Sequence, residues 1–195
     1  MRKRHLAGAV VAALAVPLTL VLPAQSHGYI STPPSRAALC AAGAVTGCGA
    51  IQWEPQSVEG PKGFPARGPA DGAICAGGNS RFAELDDPRG GAWPTTAVSA
   101  GQRLTFTWKF TARHATTSFK YYLTKAGYDA IQKVTRANLE TAPFLTVPYN
   151  GTQVPSTLSH TATLPGGRTG HQVVVAVWEI ADTGNAFYSC TDVRF

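Results

Sequence analysis

Arg103-Leu-Thr-Phe-Thr-Trp-Lys-Phe110 alternates without a break: Leu104, Phe106, Trp108 and Phe110 are apolar, and Arg103, Thr105, Thr107 and Lys109 are polar. Side chains of an extended chain point to opposite faces in turn, so a period of two marks a strand with one buried face. Weaker patterns of the same kind follow at Ser118–Thr124, Leu158–Leu164, Gln172–Ile180 and Ala186–Phe195. Val173-Val-Val-Ala-Val-Trp178 is apolar at both parities and suits a strand inside a sandwich. Gly166-Gly167 and Asn150-Gly151 read as turns between strands, and Tyr128–Leu139 could hold one short helix. Several short strands with turn signals between them predict an all-β chain, a β-sandwich of immunoglobulin or fibronectin III type.

Upstream the texture changes. From Gly28 to about Pro94 the chain is rich in Gly, Pro, Ala and Ser and has little regular period. Such a stretch is too long for a structureless connection, so it is expected to be a long loop and short-helix insertion that carries function. Cys40, Cys48, Cys75 and Cys190 allow three pairings. The favoured one joins Cys40 to Cys48 across a short local loop and Cys75 to Cys190 as a staple from an early loop to the last strand. Zinc is disfavoured, because no C-x-x-C pair is present.

The N-terminus reads as a secretory signal peptide over residues 1–26. Arg2, Lys3 and Arg4 precede an apolar run from Leu6 to Leu22, and Ala24-Gln25-Ser26 offers small residues at −3 and −1 of a cleavage site. The apolar run is broken by Pro17 and ends at Pro23, so it does not suit a membrane anchor. The expectation is therefore a secreted, extracellular, soluble single domain over 27–195, in a compartment where disulfides persist. Loss of Arg2, Lys3 and Arg4 takes the Lys and Arg count from 17 to 14 against 11 acidic residues, a net charge of about +3. These charges are scattered, with no basic run, which argues against a nucleic-acid partner. A monomer is expected.

Cleavage after Ser26 would make His27 the first residue. Its α-amine, with a pKa of about 8, gives up its proton to a metal near neutral pH far more easily than a lysine does. Amine and Nδ1 of one residue close a six-membered chelate ring, and a second imidazole would complete three nitrogens in a plane. Tetragonal nitrogen donors select Cu(II). His114, His160 and His171 are the candidates for the second ring. His114 is placed where a strand runs out into a loop, His160 mid-strand and His171 in a Gly-rich turn. On the residues alone the choice stays open.

The chain resembles the bacterial lytic polysaccharide monooxygenases once called chitin-binding proteins (auxiliary activity family 10, chitin-active C1-oxidising branch). The likeness runs through His27-Gly-Tyr, Gln52-Trp-Glu-Pro-Gln-Ser-Val-Glu-Gly60, Gly68-Pro-Ala-Asp-Gly72 and Thr111-Ala-Arg-His-Ala-Thr-Thr117. It continues through Val177-Trp-Glu-Ile-Ala-Asp-Thr-Gly-Asn-Ala-Phe-Tyr188. The resemblance implies that His27 and His114 form a copper-binding histidine brace. It makes Phe187 an axial aromatic without a strong donor and Ala112 the small residue crowding the other axial side. Trp178 becomes a buried aromatic near the metal, although as a residue it reads equally as plain core. Glu59, by itself a solvated loop carboxylate, becomes an acidic group close to the copper.

The same resemblance implies a flat face for crystalline chitin. Trp53, with Glu54 and Gln56 beside it in a polar loop, would lie on a pyranose ring, and Thr111, Asp182 and Asn185 match other polar members of that face. The implied reaction uses an external reductant, copper and O₂ or H₂O₂ to oxidise C1, giving a lactone and then an aldonic acid. One departure stands out. Some relatives bridge two positions in the later β region, where this chain has Leu145 and Ala162. Cys75 and Cys190 would relocate that bridge.

Overall fold

The computed structural model describes residues 27–195, so the expected signal peptide lies outside the described residues. Among the described residues the strands are β1 (His27–Thr32), β2 (Glu59–Pro61), β3 (Thr96–Ala97), β4 (Arg103–Ala112), β5 (Ala115–Leu123), β6 (Leu145–Gln153), β7 (Thr157–Thr163), β8 (His171–Ile180) and β9 (Asn185–Arg194). One sheet has the order β1-β4-β7. The other runs β2-β9-β8-β5-β6, with β3 added in parallel to β9. The fold is the expected immunoglobulin-like sandwich.

The alternation in β4 does what its pattern requires. Phe106, Trp108 and Phe110 are buried between the sheets, and Arg103, Thr105 and Lys109 face water. β8 is buried at every position, for a different reason at each parity. Val174, Ala176, Trp178 and Ile180 fill the space between the sheets. Val173, Val175 and Val177 pack outward against Phe64, Ile74, Phe82 and other side chains of the early segment. The large sheet is thus covered on both faces, once by strands and once by loops, which explains an apolar run without period.

That loop layer is held by few regular bonds. Helix α1 (Arg36–Ala41) is capped by Ser35, whose Oγ accepts from Ala38 N, and single 3₁₀ turns follow at Gly49–Gln52, Ser80–Leu85 and Arg89–Gly91. The Arg36 guanidinium is buried and donates to both carboxylate oxygens of Asp192 in β9, at 2.7 and 2.9 Å, and to Leu85 O at 2.8 Å. His171 Nε2 lies 2.7 Å from the same carboxylate. Burial alone would raise the Asp192 pKa, but Arg36 and His171 hold it below the ordinary range. Disulfides join Cys40 to Cys48 and Cys75 to Cys190, the favoured pairing.

One expectation is met only in part and another fails. Tyr128–Leu139 forms turns with one 3₁₀ turn at Arg136–Asn138, because its backbone bonds go elsewhere. Val134 O accepts from Gly72 N and Arg136 N donates to Asp71 Oδ1, so an α-helical ladder would have to give up both contacts. Asn150-Gly151 is not a turn between strands. It lies inside β6 as a bulge, with φ of 50° and 79°, where three residues oppose one of β5. No helix among the described residues is long and apolar enough to cross a membrane.

Candidate functional site

β1 starts at His27 and runs antiparallel to the end of β4, with His27 opposite Ala112. The chain then leaves the small sheet, and Arg113-His114 is the crossover into β5. Both histidines are thereby brought to one end of the sandwich. Gly28 makes this approach possible: a Cβ there would sit 2.7 Å from Phe110 Cδ1 and 3.1 Å from Trp178 Cζ3. Gly28 N also donates to Gln56 O at 3.0 Å, tying the Trp53 loop to the strand.

His114 is 8% exposed. Its Nδ1 lies 3.2 Å from Asp182 Oδ1, which leaves Nε2 to meet another partner. Its carbonyl accepts from Thr116 Oγ1 at 3.1 Å, and Thr116 Oγ1 in turn accepts from Trp178 Nε1 at 2.7 Å. Trp178 therefore fixes the crossover through Thr116 as well as filling the core. The other two histidines are committed elsewhere. His160 sits opposite Phe106, six residues along β4 from Ala112 or roughly 20 Å, and takes the Tyr121 hydroxyl on Nδ1 at 2.7 Å. His171 opens β8 at the far end from Ile180 and pairs with Asp192.

Phe187 is fully buried, opposite Glu59 across β2–β9 and Trp178 across β8–β9. Its ring lies 5.0 Å from that of Trp178 and 6.4 Å from that of His27. Glu59 Oε1 accepts from Asn185 Nδ2 at 2.7 Å. Trp53 is 83% exposed, Thr111, Asp182 and Asn185 are exposed, and Gln56 is half-buried. Glu54 is half-buried and paired with Arg81, a residue the sequence reading did not single out. Thr116 was also missed, although it lies inside the quoted Thr111–Thr117 motif.

Among the described residues no three His, Cys, Asp or Glu side chains gather around one point. A metal here would rest on His27 and His114 and on a donor that is not a side chain. The α-amine of His27 would be that donor in a chain that starts there. Two imidazoles and an amine are the nitrogen set that favours copper, and Phe187 offers no competing lone pair beside them. The residues fit the ion.

Comparison with known proteins places the chain in a family. A family profile described as "Lytic polysaccharide mono-oxygenase, cellulose-degrading" matches residues 27–193. GlcNAc-binding protein A of Shewanella oneidensis is 43% identical over 95% of this chain and 39% of its own length. AA10 family lytic polysaccharide monooxygenase C of Mycosarcoma maydis is 46% identical over 88% of this chain and 53% of its own. The chain thus spans about two fifths to one half of these curated relatives. Among solved structures, an AA10 lytic polysaccharide monooxygenase from Streptomyces lividans superposes with a TM-score of 0.84 at 61% identity, covering 87% of this chain and 100% of that one. A Bacillus amyloliquefaciens CBM33 in complex with Cu(I) does so with a TM-score of 0.78 at 37% identity, covering 86% and 99%. The chain belongs to the AA10 family of lytic polysaccharide monooxygenases.

Proposed function

We propose that this chain is a secreted copper enzyme that cleaves crystalline chitin oxidatively at C1. The observation that carries the reading is the pairing of His27 with Ala112, which sets the first residue after the Ala24-Gln25-Ser26 cleavage site beside the His114 crossover. Copper bound there would cycle between Cu(II) and Cu(I) with an external reductant and supply O₂ or H₂O₂ activation and hydrogen abstraction from the sugar. His27 and His114 hold the ion, and Asp182 orients the His114 ring through Nδ1. Ala112 and Phe187 would present apolar groups beside the ion and offer it no further donor. Glu59, which accepts a hydrogen bond from Asn185, would hold or relay a proton beside the ion. Trp53 lies flat on a pyranose ring, with Glu54, Gln56, Thr111, Asp182 and Asn185 giving polar contacts across a surface that a solid can meet.

Chitin is preferred to cellulose on the Trp53-Glu-Pro-Gln56 loop and on the relatives named for GlcNAc binding. The family description, cellulose-degrading, favours the other substrate. Mass spectrometry of soluble products from each solid, with copper and a reductant, separates them. Aldonic-acid chito-oligosaccharides are expected, and cello-oligosaccharides alone would overturn the chitin assignment. His114→Ala should abolish oxidised products while leaving the fold intact, and full activity in that variant would remove the brace. We infer too that residues 1–26 are a leader and that 27–195 form the single mature domain. N-terminal sequencing of protein from culture medium should begin at His27. One extra residue before His27 should spare chitin retention and eliminate oxidation.

A further inference from the structure

The polar partners of His114 and Glu59 stand on, and directly after, one short exposed loop. Ala181–Gly184 joins β8 to β9, carries Asp182 against His114 and leads into Asn185 against Glu59. Apart from Lys62 and the Asp182–His114 contact, few bonds hold the loop. Ala181 N donates to Ala115 O at 2.8 Å, and Asn185 N reaches Thr183 Oγ1 at 3.2 Å. An exposed loop with so few bonds would sample many conformations, and two long-range contacts of the site would then be intermittent.

Lys62, half-buried and directly after β2, supplies the missing constraint. Its Nζ donates to Ile180 O at 3.0 Å and to Thr183 O, and its backbone N donates to Gly184 O at 3.0 Å. The carbonyls of Ile180, at the end of β8, and of Thr183, in the loop, converge on one ammonium. Among the described residues no carboxylate pairs with that charge, so the two carbonyls are its main compensation. Hydrogen bonds from a charged donor are about twice as strong as neutral ones. Lys62 is also three residues from Glu59, so one segment carries the acid and clamps the loop that steadies it.

We propose that Lys62 is a positioning residue, a cationic latch that fixes the Ala181–Gly184 loop and through it holds Asp182 on His114 and Asn185 on Glu59. The latch itself stands on the geometry above, while its consequence for copper and chitin rests on the function proposed for the site. The test uses full-length mature protein carrying Lys62→Met, which keeps the stem and removes the charge, and Lys62→Arg, which keeps two donors.

In metal-free protein, hydrogen exchange at amides 181 and 185 should quicken roughly tenfold or more in Lys62→Met, the loss expected for one charged hydrogen bond. Lys62→Arg should return most of that protection. With copper bound, the Cu(II) electron paramagnetic resonance spectrum of Lys62→Met should shift while that of Lys62→Arg stays close to wild type. Its half-saturation on chitin should rise more than its maximal rate falls. Unchanged exchange at 181 and 185 in Lys62→Met overturns the latch whatever the enzyme does. Faster exchange in a protein that takes up no copper supports the latch and overturns the proposed function instead.

Discussion

Gly60 has no room for a side chain. A Cβ there would sit 2.0 Å from Gly77 O and 2.8 Å from Gly77 C, both backbone atoms that cannot swing aside. The residue after Glu59 is therefore glycine because the early loop layer crosses β2 at van der Waals distance. Gly60→Ala must push the two segments apart, at an overpacking cost of about 1–3 kcal/mol. Because Glu59 is its neighbour, a loss of oxidised product should accompany the fall in Tm. A melt that matches wild type would show that the approach is looser than drawn. Trp53 behaves oppositely, being 83% exposed with nothing to stabilise in the fold. Trp53→Ala should leave Tm within about 1 °C of wild type yet weaken retention on chitin by roughly tenfold or more, as removal of an aromatic anchor does. Equal retention by the variant would move the substrate face elsewhere.

Among elements, those legible in the sequence are those whose period matches their burial. β4 alternates and has one buried face, and β8 lacks a period because two different layers cover it. β6 was missed. Its half-buried Leu145, Val147 and Tyr149 alternate properly, but Pro148 and the Asn150-Gly151 bulge break the run, as an edge strand tolerates. Of the candidate site, the sequence motifs single out His27, His114, Glu59 and Phe187. Thr116, Arg81 and Lys62 are not singled out, since a polar side chain that holds a distant carbonyl or carboxylate leaves no periodic trace.

Packing of β4, β5 and β7 also buries a titrating group. His160 is pushed down to about 4 by burial, and its Nδ1 takes the Tyr121 hydroxyl while Trp108 Nε1 donates to the same hydroxyl at 2.9 Å. The native state keeps this ring neutral, and the unfolded chain protonates it near 6.5. Between about 4 and 6.5 the unfolded state thus binds the extra proton. Stability is full above 6.5 and declines as pH falls towards 4. Asp86, pushed up to about 6 by burial, has the opposite sign over much of that window, since the native state there holds the proton. The two are separated by comparing His160→Gln, which can still accept from Tyr121, with wild type. The variant should lose on the order of 1 kcal/mol less stability between pH 6.5 and 4 once solvent screening is allowed for. Parallel melting curves across that range would mean that His160 protonates freely in the folded protein.

Across the whole molecule, stability and site geometry are divided between two bridges. The central sandwich has a continuous aromatic core, whereas the loop layer packs an apolar cluster against the outer face of β8 and is further tied by α1, the Arg36–Asp192 pair and the disulfides. Cys75–Cys190 closes a separation of 115 residues and ties that layer to the middle of β9, while Cys40–Cys48 closes 8. On loop-closure entropy the first stabilises by about 4.8 kcal/mol and the second by about 2.5 kcal/mol. Their positions differ as well as their lengths. Cys75 is two residues from Gly77, whose backbone packs on Glu59 and Gly60, and Cys48 directly precedes the 3₁₀ turn that leads into Trp53. Replacing Cys75 and Cys190 with Ala should therefore lower the urea midpoint by about twice as much as replacing Cys40 and Cys48. It should also cut oxidation more than chitin retention, because Glu59 loosens while Trp53 stays presented. The Cys40 and Cys48 variant should invert that split, losing retention first. If both variants lost stability and function in the same proportion, the loop layer would be one cooperative unit, and the acid side and the aromatic side of the site would share a single support.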